Sequence, residues 1–350
     1  MPFNRNPLNS LKQGNWVKLI CGASYQHLPS IRNLALIYTL AGVDCIDVSA
    51  DKAVIHSALE GISVAQSLQS KAITLGYHFY SKPLLMVSIN DGEDPHFRKA
   101  YFDSNLCPSN CTRPCEQICP AEAIKFNSQF QGIIDSLCYG CGRCVPICPF
   151  NLIDSKSHFV SIDEVLTWLN ELPIEAIEIH TQQGHLENFI DIWCKIQPYL
   201  SQLKMIAISC PYTPTVTDYL SKIYDYIQLL PLPLIWQTDG RPMSGDIGIG
   251  TTHLCLKYAQ QVKQANLSGF IQLAGGTNEY TVAKMKSQNL TAKDVAGIAY
   301  GSKARKLVTD ILNQLEEISD SNQLEDYDNL LWQGVNLASQ LVNPLKIPFS

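Results

Sequence analysis

The chain has 350 residues, 46% hydrophobic and only 17% charged, with a net charge of −6. Such a composition buries a sizeable core in one large domain or two smaller ones. Its acidic balance argues against a nucleic-acid binder, which needs a basic face. No run approaches the ~18 apolar residues of a membrane span, and MPFNRNPLNSLKQGNW at the start has no apolar segment of signal type. A cytoplasmic protein is expected, in a compartment where thiols stay reduced and clustered cysteines hold metal more often than disulfides.

The first predicted strand is WVKLICGA, Trp16 to Ala23. A helix follows, with Ile31, Leu34, Ile37, Tyr38 and Ala41 at helical spacing and Gly42 as its stop. DCIDVSA (Asp44 to Ala50) reads as the second strand, before a helix carrying Ile55, Ala58, Leu59 and Ile62. The third strand is Leu84 to Asn90. Two cysteine-rich runs then break the rhythm. It resumes with a helix over Ile162 to Leu172 and a strand over Ala176 to Thr181. A helix from Leu186 to Leu200, a strand from Lys204 to Cys210 and a helix from Val216 to Leu229 come next. The strand Leu232 to Thr238 precedes a helix over Thr252 to Ala265. The last strands are Gly269 to Gly275 and Val295 to Gly301, and the final helix of the rhythm spans Ser302 to Ile318.

Eight apolar strands, each followed by a helix, fit an α/β protein with a buried parallel sheet. A TIM-type (β/α)8 barrel with an inserted ferredoxin-like two-cluster module is the expectation. An open doubly wound sheet gives the same local alternation and stays as its competitor. The expected divisions are residues 1–90 for the first three strands, 91–158 for the insertion, 159–318 for the rest of the barrel and 319–350 for a tail. That tail is acidic at first and then apolar (LLWQGVNLASQLV), as in a terminal helix packed on the body or a partner-binding element.

Eight of the 13 cysteines lie in the two runs. The second reads Cys138-x2-Cys141-x2-Cys144-x3-Cys148-Pro149, the bacterial ferredoxin spacing. Three thiolates must wrap one face of a cubane, so the chain coils tightly, and Gly140 and Gly142 ease that coiling. The first run, Cys107-x3-Cys111-x3-Cys115-x3-Cys119-Pro120, has wider gaps and must loop further. In two-cluster proteins the fourth cysteine ligates the other cluster. Crossed sets are therefore expected: Cys107, Cys111, Cys115 and Cys148 on one cluster, Cys138, Cys141, Cys144 and Cys119 on the other. Both read as [4Fe-4S], the first open to loss of an iron to give [3Fe-4S]. Zinc is the competing metal, but structural zinc sites space two ligand pairs far apart. Arg113 and Arg143 lie within the runs, as potential tuning cations or as plain surface residues. The other five cysteines (Cys21, Cys45, Cys194, Cys210, Cys255) read as small core residues.

In a barrel, chemistry sits at the C-terminal ends of the strands. Gly275 and Gly276 after strand seven, and Gly301, Ser302 and Lys303 after strand eight, form a candidate anion site for a phosphate-bearing ligand, flavin included, with Arg305 nearby. The loop QTDGRPMSGDIGIGTTH (Gln237 to His253) reads as a lid or ligand loop, with Asp239, Arg241 and Asp246 as its polar groups. His180 ends a strand as a candidate acid or base, or as a structural histidine.

The segment KLICGASYQHLPSIRNLALIYTLAGVDCIDVSAD (Lys18 to Asp51), the unequal cysteine runs and the loop from Gln237 resemble the light-dependent period protein family of cyanobacteria. The resemblance spans nearly the whole chain. It implies an iron–sulfur redox sensor that feeds light-dependent redox state into the circadian clock. It also implies a clock input kinase and core clock proteins as partners. The residues themselves leave a second function open: a flavin- or phosphate-ligand-binding barrel oxidoreductase using the clusters as an electron relay. Whether the chain is an enzyme is not decided by its sequence.

Overall fold

The computed structural model describes residues 6–21, 27–77, 79, 81–92, 98–119, 121–127, 131–138, 140, 142–157, 160–227, 230–240, 252–318 and 322–346. Helix α1 (Pro7–Gln13) opens the chain, its N-cap Asn6 side chain accepting from the Leu8 N–H at 3.1 Å. Strand β1 (Trp16–Ile20) leads to α2 (Leu28–Ala41), which ends at Gly42 in the left-handed conformation. Strand β2 (Cys45–Ser49) is followed by α3 (Lys52–Ser67), capped by Asp51, and the short α4 (Gln69–Thr74). Strand β3 (Leu84–Asn90) ends the first third.

A segment with its own small sheets follows. It holds β4 (Arg98–Tyr101), α5 (Pro114–Ile118), β5 (Ile124–Phe126), β6 (Gln131–Ile133), α6 (Cys144–Ile147) and β7 (Asp154–Ser157). β4 pairs antiparallel with β7, and β5 with β6. The large sheet then resumes through α7 (Ile162–Trp168), β8 (Ala176–His180), α8 (Leu186–Ile196), β9 (Met205–Pro211) and α9 (Val216–Ile227). It finishes with β10 (Leu234–Asp239), α10 (Thr252–Gln264), β11 (Phe270–Ala274), α11 (Thr281–Ser287), β12 (Gly297–Tyr300) and α12 (Ser302–Ile318). Helix α13 (Asp328–Lys346) lies against α2 and α12.

The eight long-range strands close in the order β1-β12-β11-β10-β9-β8-β3-β2, every pair parallel. β1 pairs with both β2 and β12, so the sheet has no edge and the open-sheet alternative is removed. The seam is tight. Trp16 pairs with Gly297, and a Cβ at Gly297 would sit 2.3 Å from the Trp16 carbonyl oxygen. Only glycine allows that approach.

Strand periodicity sorts the residues. Val17, Leu19, Ile46, Val48, Ile177, Ile179, Ile206 and Ile208 pack outward under the helices. Trp16, Cys45, Leu84, Met86, Ala176, Met205, Ala207 and Ile235 point inward and fill the bottom of the barrel, with Leu11 of α1 closing it. Full burial of each large side chain contributes about 1.5–3 kcal/mol, so the apolar plug fixes the barrel below while leaving its upper half for other groups.

Four of the five scattered cysteines are buried as expected, but Cys194 is exposed. It sits one residue beyond Trp193 on α8, whose buried face is Phe189, Trp193 and Ile196. A step of one residue turns a side chain about 100° round the axis, out of that stripe.

Candidate metal centre and barrel lumen

The two halves of the cysteine segment are built alike. Cys115 lies in the first turn of α5 and Cys119 caps its end; Cys144 opens α6 and Cys148 caps its end. After each capping cysteine the chain turns through a left-handed residue, Glu122 (φ 49°) or Asn151 (φ 52°). That turn brings an N–H back onto sulfur. Ala123 donates to Cys119 Sγ at 3.2 Å, and Leu152 donates to Cys148 Sγ at 3.4 Å. Ala100 likewise donates to Cys138 Sγ at 3.3 Å and Arg113 to Cys111 Sγ at 3.4 Å. Such N–H groups favour thiolate over thiol, as metal ligation requires. At Cys148 burial pushes the thiol up, but the N–H groups of Leu152, Phe150, Ile153 and Asn151 outweigh it and hold the thiol below its usual value.

The wide first run is accommodated by its backbone. Arg113, between Cys111 and Cys115, takes the left-handed conformation (φ 52°) and absorbs the longer gap. Its guanidinium lies 4.2 Å from the Phe126 ring centre and donates to the Phe126 carbonyl oxygen at 3.4 Å. A cation stacked on an aromatic face serves the packing of this small segment.

The thiols fall into two groups. Cys107 and Cys115 are both raised, by burial first, and both feel the charge of Cys148; Cys107 also feels Cys111. Cys119, Cys138 and Cys144 instead line a small cavity with Gly142 and the apolar Ala100, Ala121, Ala123, Ile124 and Ile133. Each group joins residues of one run to the fourth cysteine of the other. Cys141 lies outside the described residues. Among the described residues no three His, Cys, Asp or Glu side chains converge on a single-ion centre. Cys119, Cys138 and Cys144 instead surround an apolar hollow, with N–H donors on Cys119 and Cys138, and that donor set fits an iron–sulfur cluster.

The segment leaves β3 at a fixed point. Asn90 Nδ2 donates to the Gly92 carbonyl at 2.7 Å, Asn188 Nδ2 donates to the Asp91 carbonyl at 2.8 Å, and His185 Nδ1 lies 3.0 Å from Asp91 Oδ1. The insertion therefore starts at the C-terminal rim of the barrel, held by α8.

Above the apolar plug, the barrel lumen is polar. Lys18 Nζ pairs with Asp47 at 3.0 Å and more closely with Glu178, all three buried. Glu178 also lies 3.0 Å from His180 Nε2 and accepts from Gln237 Nε2 at 2.6 Å. Gln237 accepts from Gln272 at 2.5 Å, Gln272 accepts from Trp16 Nε1 at 2.7 Å, and Ser88 donates to Asp47 at 2.6 Å. Asp239 accepts from Ser209 and from Gln237. Burial pushes the Asp47 carboxyl up to about 6 against the pull of Lys18. Glu178 is just as buried, yet Lys18 and His180 prevail and hold it down at about 2. Burial lowers Lys18, but the two carboxylates outweigh it and keep the ammonium charged well above its usual range.

The sequence did not point to Lys18, Asp47 or Glu178. Each is one charged residue at the centre of an apolar strand, on the inward parity, and strand periodicity alone was the available signal. His180, Gln237 and Asp239 belong to this lumen network. Arg241, Asp246 and the rest of residues 241–251 lie outside the described residues.

At the mouth, Gly275 (φ 62°) and Gly276 (φ 99°) turn the chain after β11. Gly301 precedes α12 and Ser302 opens it. Lys303 pairs with Glu279 at 2.8 Å. Arg305 instead donates to the Ile20 carbonyl at 3.0 Å and to Ser302 Oγ at 3.2 Å. No helix among the described residues is long and apolar enough to cross a membrane.

Two family models match the chain. The light dependent period A C-terminal domain covers residues 168–344, and the LdpA Fe-S cluster-binding domain covers residues 107–159. The protein named light dependent period A from Synechococcus elongatus is 48% identical over 344 residues, covering 97% of this chain and 94% of that protein. The cysteine segment alone is similar to two further proteins. The ferredoxin-type protein NapF of Haemophilus influenzae is 46% identical over 46 residues, 12% of this chain and 26% of that one. An uncharacterized ferredoxin of Methanocaldococcus jannaschii is 33% identical over 48 residues, 14% of this chain and 29% of that one. Near-complete coverage by one relative, with both models falling on the parts the fold separates, places the chain in the light dependent period A family, with an iron–sulfur-binding segment between strands three and four of its barrel.

Proposed function

We propose that the chain is a redox sensor that reports light-dependent cellular redox state to the circadian clock. In this reading Cys107, Cys111, Cys115 and Cys148 hold one [4Fe-4S] cluster, and Cys119, Cys138, Cys141 and Cys144 hold the other. Bound clusters supply reversible one-electron storage. The observation that carries the proposal is the interlocked thiol grouping at the barrel rim. Each group needs a cysteine from the other run, so a change at one cluster is felt through both halves of the segment. The N–H donors on Cys111, Cys119, Cys138 and Cys148 respond to added negative charge by tightening, and the backbone they belong to carries that change outward. A clock input kinase and core clock proteins are the proposed readers, on the strength of the family. A coupling of ~1.4 kcal/mol between oxidation state and partner affinity gives about tenfold. Affinity of the anaerobically purified protein for the kinase, measured in oxidised and dithionite-reduced forms, tests this. Equal affinity in both forms defeats it.

One observation favours a second reading, the barrel oxidoreductase. The lumen carries Lys18, Asp47, Glu178, His180 and Asp239 with perturbed acids among them, as catalytic barrels do. Structured yellow flavin bands beside the broad brown cluster absorbance would support it. Their absence, together with redox-dependent partner binding, leaves the sensor.

A further inference from the structure

A cleft of about 550 Å³ opens between the cysteine segment and the barrel, a volume typical of small-molecule sites. Ala121, Lys125, Leu137 and Arg143 form one wall, and residues of α2 and α12 form the other. Ala121 also lines the hollow between Cys119, Cys138 and Cys144. One alanine thus belongs to both spaces, and a cleft ligand would lie next to the cluster site.

The lining is chemically mixed. Arg143 enters from the segment, and Arg305 and Lys306 from α12. Lys125 on the segment side is already matched by Glu122 at 2.9 Å. Arg305 is nine-tenths buried and anchored by the Ile20 carbonyl and Ser302, so its guanidinium is fixed in advance. Asp310 and Glu316 add carboxylates on the α12 side, with Glu316 3.9 Å from His27. Leu34, Leu137 and Leu312 supply apolar surface.

We infer that this cleft binds a phosphorylated small molecule of nucleotide size, with an affinity set by the oxidation state of the adjacent cluster. Guanidinium forks from opposite walls suit phosphate oxygens. The carboxylates accept from sugar hydroxyls, and the leucines cover a flat ring. The inference rests on the cluster assignment proposed above. Reduction by a low-potential one-electron donor places one more negative charge behind Ala121, facing the phosphate. Binding is then weaker in the reduced protein. By reciprocity the ligand disfavours reduction by the same factor.

The test uses the whole chain, purified anaerobically with its iron counted, and ADP and inorganic pyrophosphate as probes in calorimetry. ADP should bind oxidised protein at one per chain and dithionite-reduced protein about tenfold more weakly. Saturating ADP should then lower the cluster midpoint potential by about 59 mV, the one-electron equivalent of tenfold. Arg143→Gln should weaken ADP at least tenfold with iron content unchanged. Lys306→Glu, at an exposed position where folding is not at stake, should do the same. Absence of heat with both probes, or ADP binding that ignores both variants, overturns the site. Equal affinity in the two oxidation states overturns the coupling. ADP binding by a chain that carries no iron would keep the cleft and sink the cluster assignment instead.

Discussion

Replacing Lys18 with Met removes the ammonium between Asp47 and Glu178 and leaves His180 as the remaining basic group beside Glu178. Both carboxylates are buried, at 2% and 0% side-chain exposure, so water cannot take over from the ammonium. Breaking a buried pair by removing one partner costs about 3–5 kcal/mol. With an unfolding entropy of about 2.1 cal/mol/K per residue, a loss near 4 kcal/mol lowers the Tm of a chain this long by roughly 5 °C. The cost depends on pH in a defined direction. Burial already raises Asp47 to about 6 with Lys18 present, and without Lys18 its folded pKa rises further. A carboxyl raised on folding contributes stability at low pH and loses it as pH climbs through the folded pKa. Lys18→Met should therefore be closer to wild type at pH 5 than at pH 8. Lys18→Met combined with Asp47→Asn should recover much of the loss, since the double variant buries one charge fewer. Denaturant unfolding across pH 5–8 measures all of this. A single variant within about 1 kcal/mol of wild type at pH 8, with no dependence on pH, would refute the buried-charge account of the lumen.

Cys148→Ala should damage the cluster of Cys107, Cys111 and Cys115 more than the other, and Cys119→Ala the reverse, as read by electron paramagnetic resonance with iron counting. Loss of the downstream cluster in Cys148→Ala would contradict the crossed grouping. Gly61→Ala should separate α3 from α2, because its Cβ would lie 2.1 Å from the Arg32 carbonyl oxygen; a loss of about 1–3 kcal/mol is expected for such overpacking, and an unchanged unfolding midpoint counts against it. Lys346→Met should cost about 3–5 kcal/mol by removing the buried ion pair that Lys346, at the end of α13, makes with Asp44, whose carboxylate then keeps the Val17 N–H but loses its counter-charge. Limited proteolysis should then release the C-terminal helix first, and an intact tail would argue against that anchoring role.

Much of the barrel was legible because its strands are apolar and its helices carry regular stripes. Each predicted strand agrees with an observed one to within a few residues at its ends. The cysteine runs announced their chemistry through spacing alone. Other features were hidden for physical reasons. α1 and α4 are too short for a periodic signal, yet Leu11 of α1 closes the barrel bottom. The polar lumen depends on which of two strand faces turns inward, and one lysine in WVKLI looks like a strand-edge charge until the sheet closes. Lys303 was the natural anion ligand by position, but Glu279 comes from a neighbouring loop to claim it. The cleft by Arg143 and Arg305 joins residues far apart in the chain, which no local pattern reveals. The tail gave its helix away through apolar spacing, whereas its anchors, Arg32 to Glu325 and Lys346 to Asp44, are long-range pairs.

In the proposed function the cysteine segment holds two redox-active clusters whose state is felt beyond it. A redox titration of the anaerobically purified chain, followed by electron paramagnetic resonance with iron and sulfide counted on the same sample, tests it most directly. Two cubanes require about eight irons and as many sulfides per chain, with signals that appear and vanish reversibly as the potential is stepped. A zinc-loaded chain, or iron that shows no reversible one-electron step, would contradict it.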